Sequence, residues 1–238
     1  MIYLHDPPLL FLKPRKVGGT SFEIALSAFA GPDDILTRLM FDEEEAQRRE
    51  IGGRAAQNFA FAPGEAPEPD DLRRAQRRGR APEKFYSHIS AAKARERLGA
   101  ERWSSATRVS IVRNPFDLAV SSYFWRQVQG KAGPDFAAWC RDHAPLLLRN
   151  RASYGIDGEI VVDRLWRYER IGAEVAALEQ ALPRLSGLAA IFGRTRAKSG
   201  YRPRGATTRE LFERFPAARQ IIAAVFAEEI ARYGYRPE

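Results

Sequence analysis

The hydrophobic positions along the chain change period several times, and each change marks an element. Residues 8–13, PLLFLK, are an apolar run that stops at Lys13-Pro14. A run of that length closed by a turn signal predicts a short buried strand. Helical spacing follows: Phe22, Ala25, Leu26 and Phe29 stand at i, i+3, i+4 and i+7, and Gly31-Pro32 ends the helix they predict. KFYSH (84–88) predicts a second strand, AAKARERLG (91–99) a helix closed by Gly99, and TRVSIV (107–112) a third, β-branched strand. Asn114-Pro115 starts another helix, with proline in the first turn, where its missing N–H costs nothing. Leu118, Ala119 and Tyr123 form the apolar face of that helix. A loop over 144–158 leads into EIVVDRLWRYE, with a fourth strand near 163–168, and a helix follows over 171–182. After a Gly- and Arg-rich segment, 193–206, helices run from 207 to 233.

Strands alternating with helices predict an α/β fold: a mostly parallel sheet flanked by helices on both faces. Residues 33–82 break the alternation. They contain APGEAPEPDD and DDLRRAQRRGR, and predict short helices within an exposed flap. The length, 238 residues, suits one domain over 1–238 with this flap as an insertion, and there is no internal repeat or heptad pattern.

Composition narrows the partners. Hydrophobic residues make up 45% of the chain, enough for a core of ordinary size. The formal charge is +8, and of 38 basic residues only Lys13, Lys16, Lys84, Lys93, Lys131 and Lys198 are lysines. An arginine-borne excess favours an anionic partner such as a nucleotide, a nucleic acid, an acidic polysaccharide or a membrane surface, or else is a solvated surface. Both readings apply to the run Arg73, Arg74, Arg77, Arg78 and Arg80. Cys140 is the only cysteine, which excludes an intrachain disulfide and a cysteine-based metal cluster. MIYLHDPPLL lacks the basic start and long apolar stretch of a signal peptide, and no apolar run reaches a membrane span. The expectation is a soluble, cytoplasmic chain.

The candidate chemistry begins at FLKPRKVGGTS (11–21), where a strand end, three basic residues, two glycines and two hydroxyls meet a helix start. Helix N-termini present unpaired N–H groups, and glycines let the backbone approach a ligand. Gly18, Gly19, Thr20 and Ser21 therefore make an anion cradle, with Lys16 to neutralise a phosphate or leaving oxygen. The alternative is a tight turn with Thr20 or Ser21 as N-cap. The nucleotide-kinase pattern GxxxxGK[ST] is absent, because here the lysine precedes the glycines. Asp117 falls inside a helix and Asp163 at a strand start, so no strand-terminal acidic pair for magnesium is recognised, and no metal is expected.

Two segments together resemble the sulfotransferase family. KVGGTS resembles its 5′-phosphosulfate loop, usually PKTGGTS or PKSGTTW, and RVSIVRNPFDLAVSSYFW (108–125) resembles its 3′-phosphate motif, a strand followed by RNPxDxxxSxY. Arg113 and Ser121 keep the family's eight-residue separation, about two helical turns, so a guanidinium fork and a hydroxyl can grip one phosphate. Weaker matches support this. WRYE (166–169) is similar to a strand-end element whose tyrosine, here Tyr168, approaches the adenine. AKSGYRP (197–203) is similar to a late loop closing on the 3′-phosphate, offering Lys198, Ser199, Gly200 and Arg202. IIAAVFAEEIARYGY resembles the closing helix of bacterial carbohydrate-type members. The resemblance implies a P-loop-kinase-like α/β fold and the donor 3′-phosphoadenosine 5′-phosphosulfate (PAPS). Two departures stand out: Arg15 replaces the usual proline before the lysine, and the GDW element of steroid- and phenol-specific members is missing.

Sulfuryl transfer runs in line to a hydroxyl or amine, and it needs a base. Histidine suits neutral pH, and of His5, His88 and His143 the reading selects His88, in YSHIS at a strand end where α/β sites form. Glu23 is a second candidate. The expected acceptor is a carbohydrate or another polar hydroxylated molecule. A nucleotide-dependent small-molecule kinase is the first alternative. The second is a non-catalytic basic protein for glycan or nucleic acid.

Overall fold

The chain opens with an antiparallel hairpin, β1 (Ile2–His5) and β2 (Pro8–Phe11), that the periodicity does not predict. Ile2 pairs with Phe11 and His5 with Pro8, across a link of only two residues, Asp6-Pro7. So short a connection forces antiparallel pairing. The computed structural model describes residues 1–195, 201–203 and 205–238. After β2 come α1 (Gly19–Ser27) and a two-residue edge strand, β3 (Ile35–Leu36). Then follow α2 (Asp42–Glu50), α3 (Pro69–Arg78), α4 (Ala91–Ser105), β4 (Thr107–Val112), α5 (Pro115–Val128) and α6 (Phe136–Leu147). A small separate hairpin, β5 (Gly155–Ile156) and β6 (Glu159–Ile160), precedes β7 (Arg164–Arg167). The chain continues through α7 (Ile171–Ala181), α8 (Leu188–Arg194), α9 (Thr208–Arg214), α10 (Pro216–Val225) and α11 (Ala227–Tyr233).

The main sheet has the order β3-β1-β2-β4-β7. β2, β4 and β7 run parallel, whereas β1 is antiparallel to both β2 and β3. The sheet is therefore mixed, which corrects the expectation of a mostly parallel one. Its strands are buried on both faces. Ile2, Leu4, Leu9 and Phe11 pack with α1, α7 and α8. Tyr3, Leu10 and Leu12, one residue out of step, pack with α4. A strand buried on both faces reads as a continuous apolar run, which hides its period of two. A third apolar cluster joins α5, α6, α9 and α10. No helix among the described residues is long and apolar enough to cross a membrane.

Other expectations are corrected locally. KFYSH is not a strand. Phe85 donates its N–H to the Phe59 carbonyl (3.0 Å) and Glu83 forms one isolated bridge with Ala60. Its aromatic content serves packing, since Phe85 and Ile89 are buried against α4. Gly99 bends α4 at φ 80° and does not end it. Residues 144–147 belong to α6, and 148–153 form a 3₁₀ turn in place of a loop.

Residues 33–82 do hold short helices, but they are fastened down. Buried Asp71 pairs with Arg74 (2.9 Å) and with Arg97 of α4 (2.6 Å). Arg48 is fully buried beside Glu45 (3.2 Å). Removing one member of such a buried pair leaves an uncompensated charge.

Candidate functional site

β2 and β4 are adjacent and parallel, so their C-terminal ends lie side by side and the two sequence motifs leave the sheet at one edge. Such an edge is where open α/β sheets hold ligands. The junction is closed by Leu12 N–H to the Val109 carbonyl (2.9 Å) and by Ser110 Oγ to the Leu12 carbonyl (2.8 Å).

The first motif turns sharply here. Lys16 has φ 62° and Gly18 φ 72°, both left-handed. Gly18 occupies the N-cap of α1 with no side-chain hydrogen bond, so neither Thr20 nor Ser21 caps the helix. Glycine at 18 is required twice, by φ and by room: a Cβ there would stand 2.9 Å from the Tyr168 ring. At Gly19 a Cβ would stand 2.7 Å from the Lys13 stem.

Arg113, at the end of β4, binds the two motifs together. One terminal nitrogen donates to the Lys16 carbonyl, while Nε and the other donate to Asp117 Oδ2 (2.8 and 2.6 Å). Its guanidinium lies 4.1 Å from the Tyr168 ring centre. Asp117 Oδ1 in turn accepts from Arg202 (3.0 Å) and from Thr208 Oγ1 (2.9 Å). Lys16, Gly18, Arg113, Tyr168 and Arg202 are thus one assembly. Ser121 lies farther along α5 and is partly exposed. Lys198, Ser199 and Gly200 lie outside the described residues.

Burial alone would raise the Asp117 carboxyl, but the Arg113 charge and the hydrogen bonds from Arg113 and Thr208 hold it below the usual value. Sequence reasoning weighed Asp117 only as a magnesium ligand. Its i, i+4 spacing from Arg113 carried the missing signal.

The WRYE element contributes a second brace. Glu169 accepts from the Asn114 N–H (2.6 Å) and from Tyr235 Oη (3.3 Å). Asn114 itself caps α5, its Oδ1 accepting from the Phe116 N–H (3.1 Å). The Lys16 ammonium stands over the Trp125 ring (4.9 Å) and near Tyr201 (5.8 Å), two rings in edge contact at 4.6 Å. Attraction to ring faces holds the ammonium at the site.

His88 is also left-handed, φ 64°; besides Lys16, only Asn58 and Asp157 share this among described non-glycine residues. Unusual backbone of this kind is strained and clusters at functional sites. The ring Nδ1 is 2.8 Å from the Lys13 carbonyl oxygen. A carbonyl only accepts, so Nδ1 carries the proton and Nε2 keeps its lone pair. Burial, then the charges of Lys13 and Arg15, lowers the His88 pKa well below 6.5.

Because the folded state disfavours protonated His88, its contribution to stability is fully present above pH 6.5 and is lost as pH falls toward the lowered folded value. The free base likewise persists below pH 6.5. Were His88 the base that the sequence reading selects, the acid limb of kcat/KM would fall below the ordinary histidine range and His88→Gln would abolish it. A limb centred at or above 6.5 would contradict the assignment.

The remaining candidates are structural. Glu23 is fully buried and bonded to both Lys13 Nζ and the Met1 amine. Burial pushes its carboxyl up, but those two cations overcome it and hold the pKa at about 2. It offers no open face to an acceptor. His5 pairs with Asp34 (2.9 Å) at the opposite end of the sheet. His143 stacks on Trp139 and bonds its carbonyl (3.0 Å). No protein-family model matches the chain, and no curated protein matches it.

Proposed function

We propose that this chain is a sulfotransferase with a P-loop-kinase-like fold, moving the sulfuryl group of PAPS to a hydroxyl or amine acceptor without a metal. The observation that carries the reading is the contact of Arg113 with the Lys16 carbonyl and the Tyr168 ring. Three segments resembling separate parts of one donor site meet at a single sheet edge.

In this reading the amides of residues 18–21 and the Lys16 ammonium surround the 5′-phosphosulfate, Arg113 and Ser121 take the 3′-phosphate, and Tyr168 approaches the adenine. The acceptor oxygen or nitrogen attacks sulfur, and a new bond to sulfur forms as the bond to the 5′-phosphate oxygen breaks. The electron pair of the broken bond stays on the phosphate, where Lys16 and the helix-start amides stabilise it. The acceptor proton passes to His88 Nε2. The sulfuryl group carries less charge than a phosphoryl group, so one lysine and backbone dipoles are adequate counter-charge.

Calorimetric titration tests the donor class. Adenosine 3′,5′-bisphosphate is expected to bind in the presence of a chelator at least about tenfold more tightly than ATP with magnesium, a difference of about 1.4 kcal/mol. Preference for ATP with magnesium would instead identify a kinase.

A further inference from the structure

The residue that follows Arg113 is held from several directions. Asn114 is buried, and its side-chain and backbone polar groups are all bonded. Capping α5 accounts for two of these groups: Oδ1 accepts from the Phe116 N–H (3.1 Å), and the carbonyl accepts from the Leu118 N–H (2.8 Å). The other two reach distant parts of the chain. The Asn114 N–H donates to Glu169 Oε1 (2.6 Å), 55 positions away. Its Nδ2 donates to the Arg236 carbonyl (2.6 Å), 122 positions away.

The two distant partners are themselves joined. Glu169 Oε2 accepts from Tyr235 Oη (3.3 Å), and Tyr235 immediately precedes Arg236. Asn114, Glu169, Tyr235 and Arg236 thus close a ring of contacts. Gly234 makes the last turn of that ring possible. It ends α11 in the left-handed region, φ 66°, and so redirects the chain after the helix. Tyr235 is then buried, with the Arg167 guanidinium 5.1 Å from its ring centre and the Tyr233 ring 5.5 Å away.

The ring stands behind two residues of the candidate site. Asn114 follows Arg113 and Glu169 follows Tyr168, and the Arg113 guanidinium lies 4.1 Å from the Tyr168 ring centre. Tying the following residue of each to the other fixes the spacing of the pair. A guanidinium fixed in this way meets an anion without first being ordered, which saves entropy on binding.

We propose that Tyr235 is a positioning residue of the nucleotide site: through Glu169 and Asn114 it holds Arg113 in place for a 3′-phosphate, so that the C-terminal segment sets the preference for a nucleoside 3′,5′-bisphosphate over a 5′-monophosphate. The inference rests on the donor reading above. In it Tyr235 acts through the ring of contacts alone and takes no part in the chemistry.

The test breaks the ring at two different bonds in the full chain. Tyr235→Phe removes the hydroxyl and keeps the aromatic ring in its packing. Asn114→Ser removes the donor to Arg236 and keeps a side chain that caps helices as well as asparagine does. Calorimetry compares adenosine 3′,5′-bisphosphate with adenosine 5′-monophosphate. Wild type is expected to prefer the bisphosphate by at least about tenfold. Each variant is expected to narrow that preference by about three- to tenfold, through weaker binding of the bisphosphate alone. A role confined to folding would lower the thermal midpoint and leave the ratio where it was.

An unchanged ratio in both variants, or an equal loss of the two nucleotides, overturns the proposal. If wild type binds the two nucleotides equally, the donor reading fails. Amide hydrogen exchange then decides the ring by itself: faster exchange at Asn114 and Phe116 in Tyr235→Phe supports the positioning of this turn by Tyr235, and unchanged exchange overturns it.

Discussion

Replacing His88 with asparagine is expected to lower the turnover of the proposed sulfuryl transfer by about 10²–10⁴-fold while leaving the fold and donor affinity in place. Two features of the residue make asparagine the informative substitution. The first is its backbone, φ 64°, a conformation that asparagine enters more readily than most side chains. The second is its bond to the Lys13 carbonyl. The asparagine amide nitrogen can donate to that oxygen in place of Nδ1. What asparagine lacks is a nitrogen lone pair to receive a proton. Alanine at this position would confound the two effects, losing the bond and straining the turn by about 1–2 kcal/mol. The measurements are single-turnover transfer from labelled PAPS, the thermal midpoint and nucleotide calorimetry. An asparagine variant with unchanged turnover would remove His88 from the chemistry.

Lys16→Met is expected to lower turnover by about 10²–10³-fold, with only a few-fold loss in nucleotide affinity. Methionine keeps the length of the stem and its contact with Trp125 and Tyr201. It also inherits the same left-handed backbone, so the strain is matched and only the charge changes. If the ammonium serves the developing charge on the leaving oxygen, its loss falls mainly on kcat. A loss confined to KM with kcat intact would reassign Lys16 to ground-state binding.

Parts of this structure were legible from the sequence for identifiable reasons. β4 and α5 follow from a β-branched run and an Asn-Pro start, both local signals, and the Asn114 cap is formed as that pattern implies. β1 was not legible, because its three apolar residues, Ile2, Tyr3 and Leu4, are buried on both faces and leave no alternation. KFYSH misled because aromatic residues favour strands yet here fill a core beneath α4. Within the site, Lys16 and Arg113 could be chosen as motif members. That Arg113 donates to the Lys16 carbonyl could not, since the two are 97 positions apart and a backbone acceptor has no residue signature.

The shared carboxylate of Asp117 has a consequence for how this site is dissected. Arg113 bonds to its Oδ2, and Arg202 and Thr208 bond to its Oδ1. Their individual energies are consequently not separable. Truncating any one of them frees the carboxylate to draw more closely on the others, so single substitutions measure the cluster's readjustment together with the missing contact. Only a double-mutant cycle closed through Asp117 assigns a value to any pair, and the sum of single losses has no meaning as the strength of the cluster.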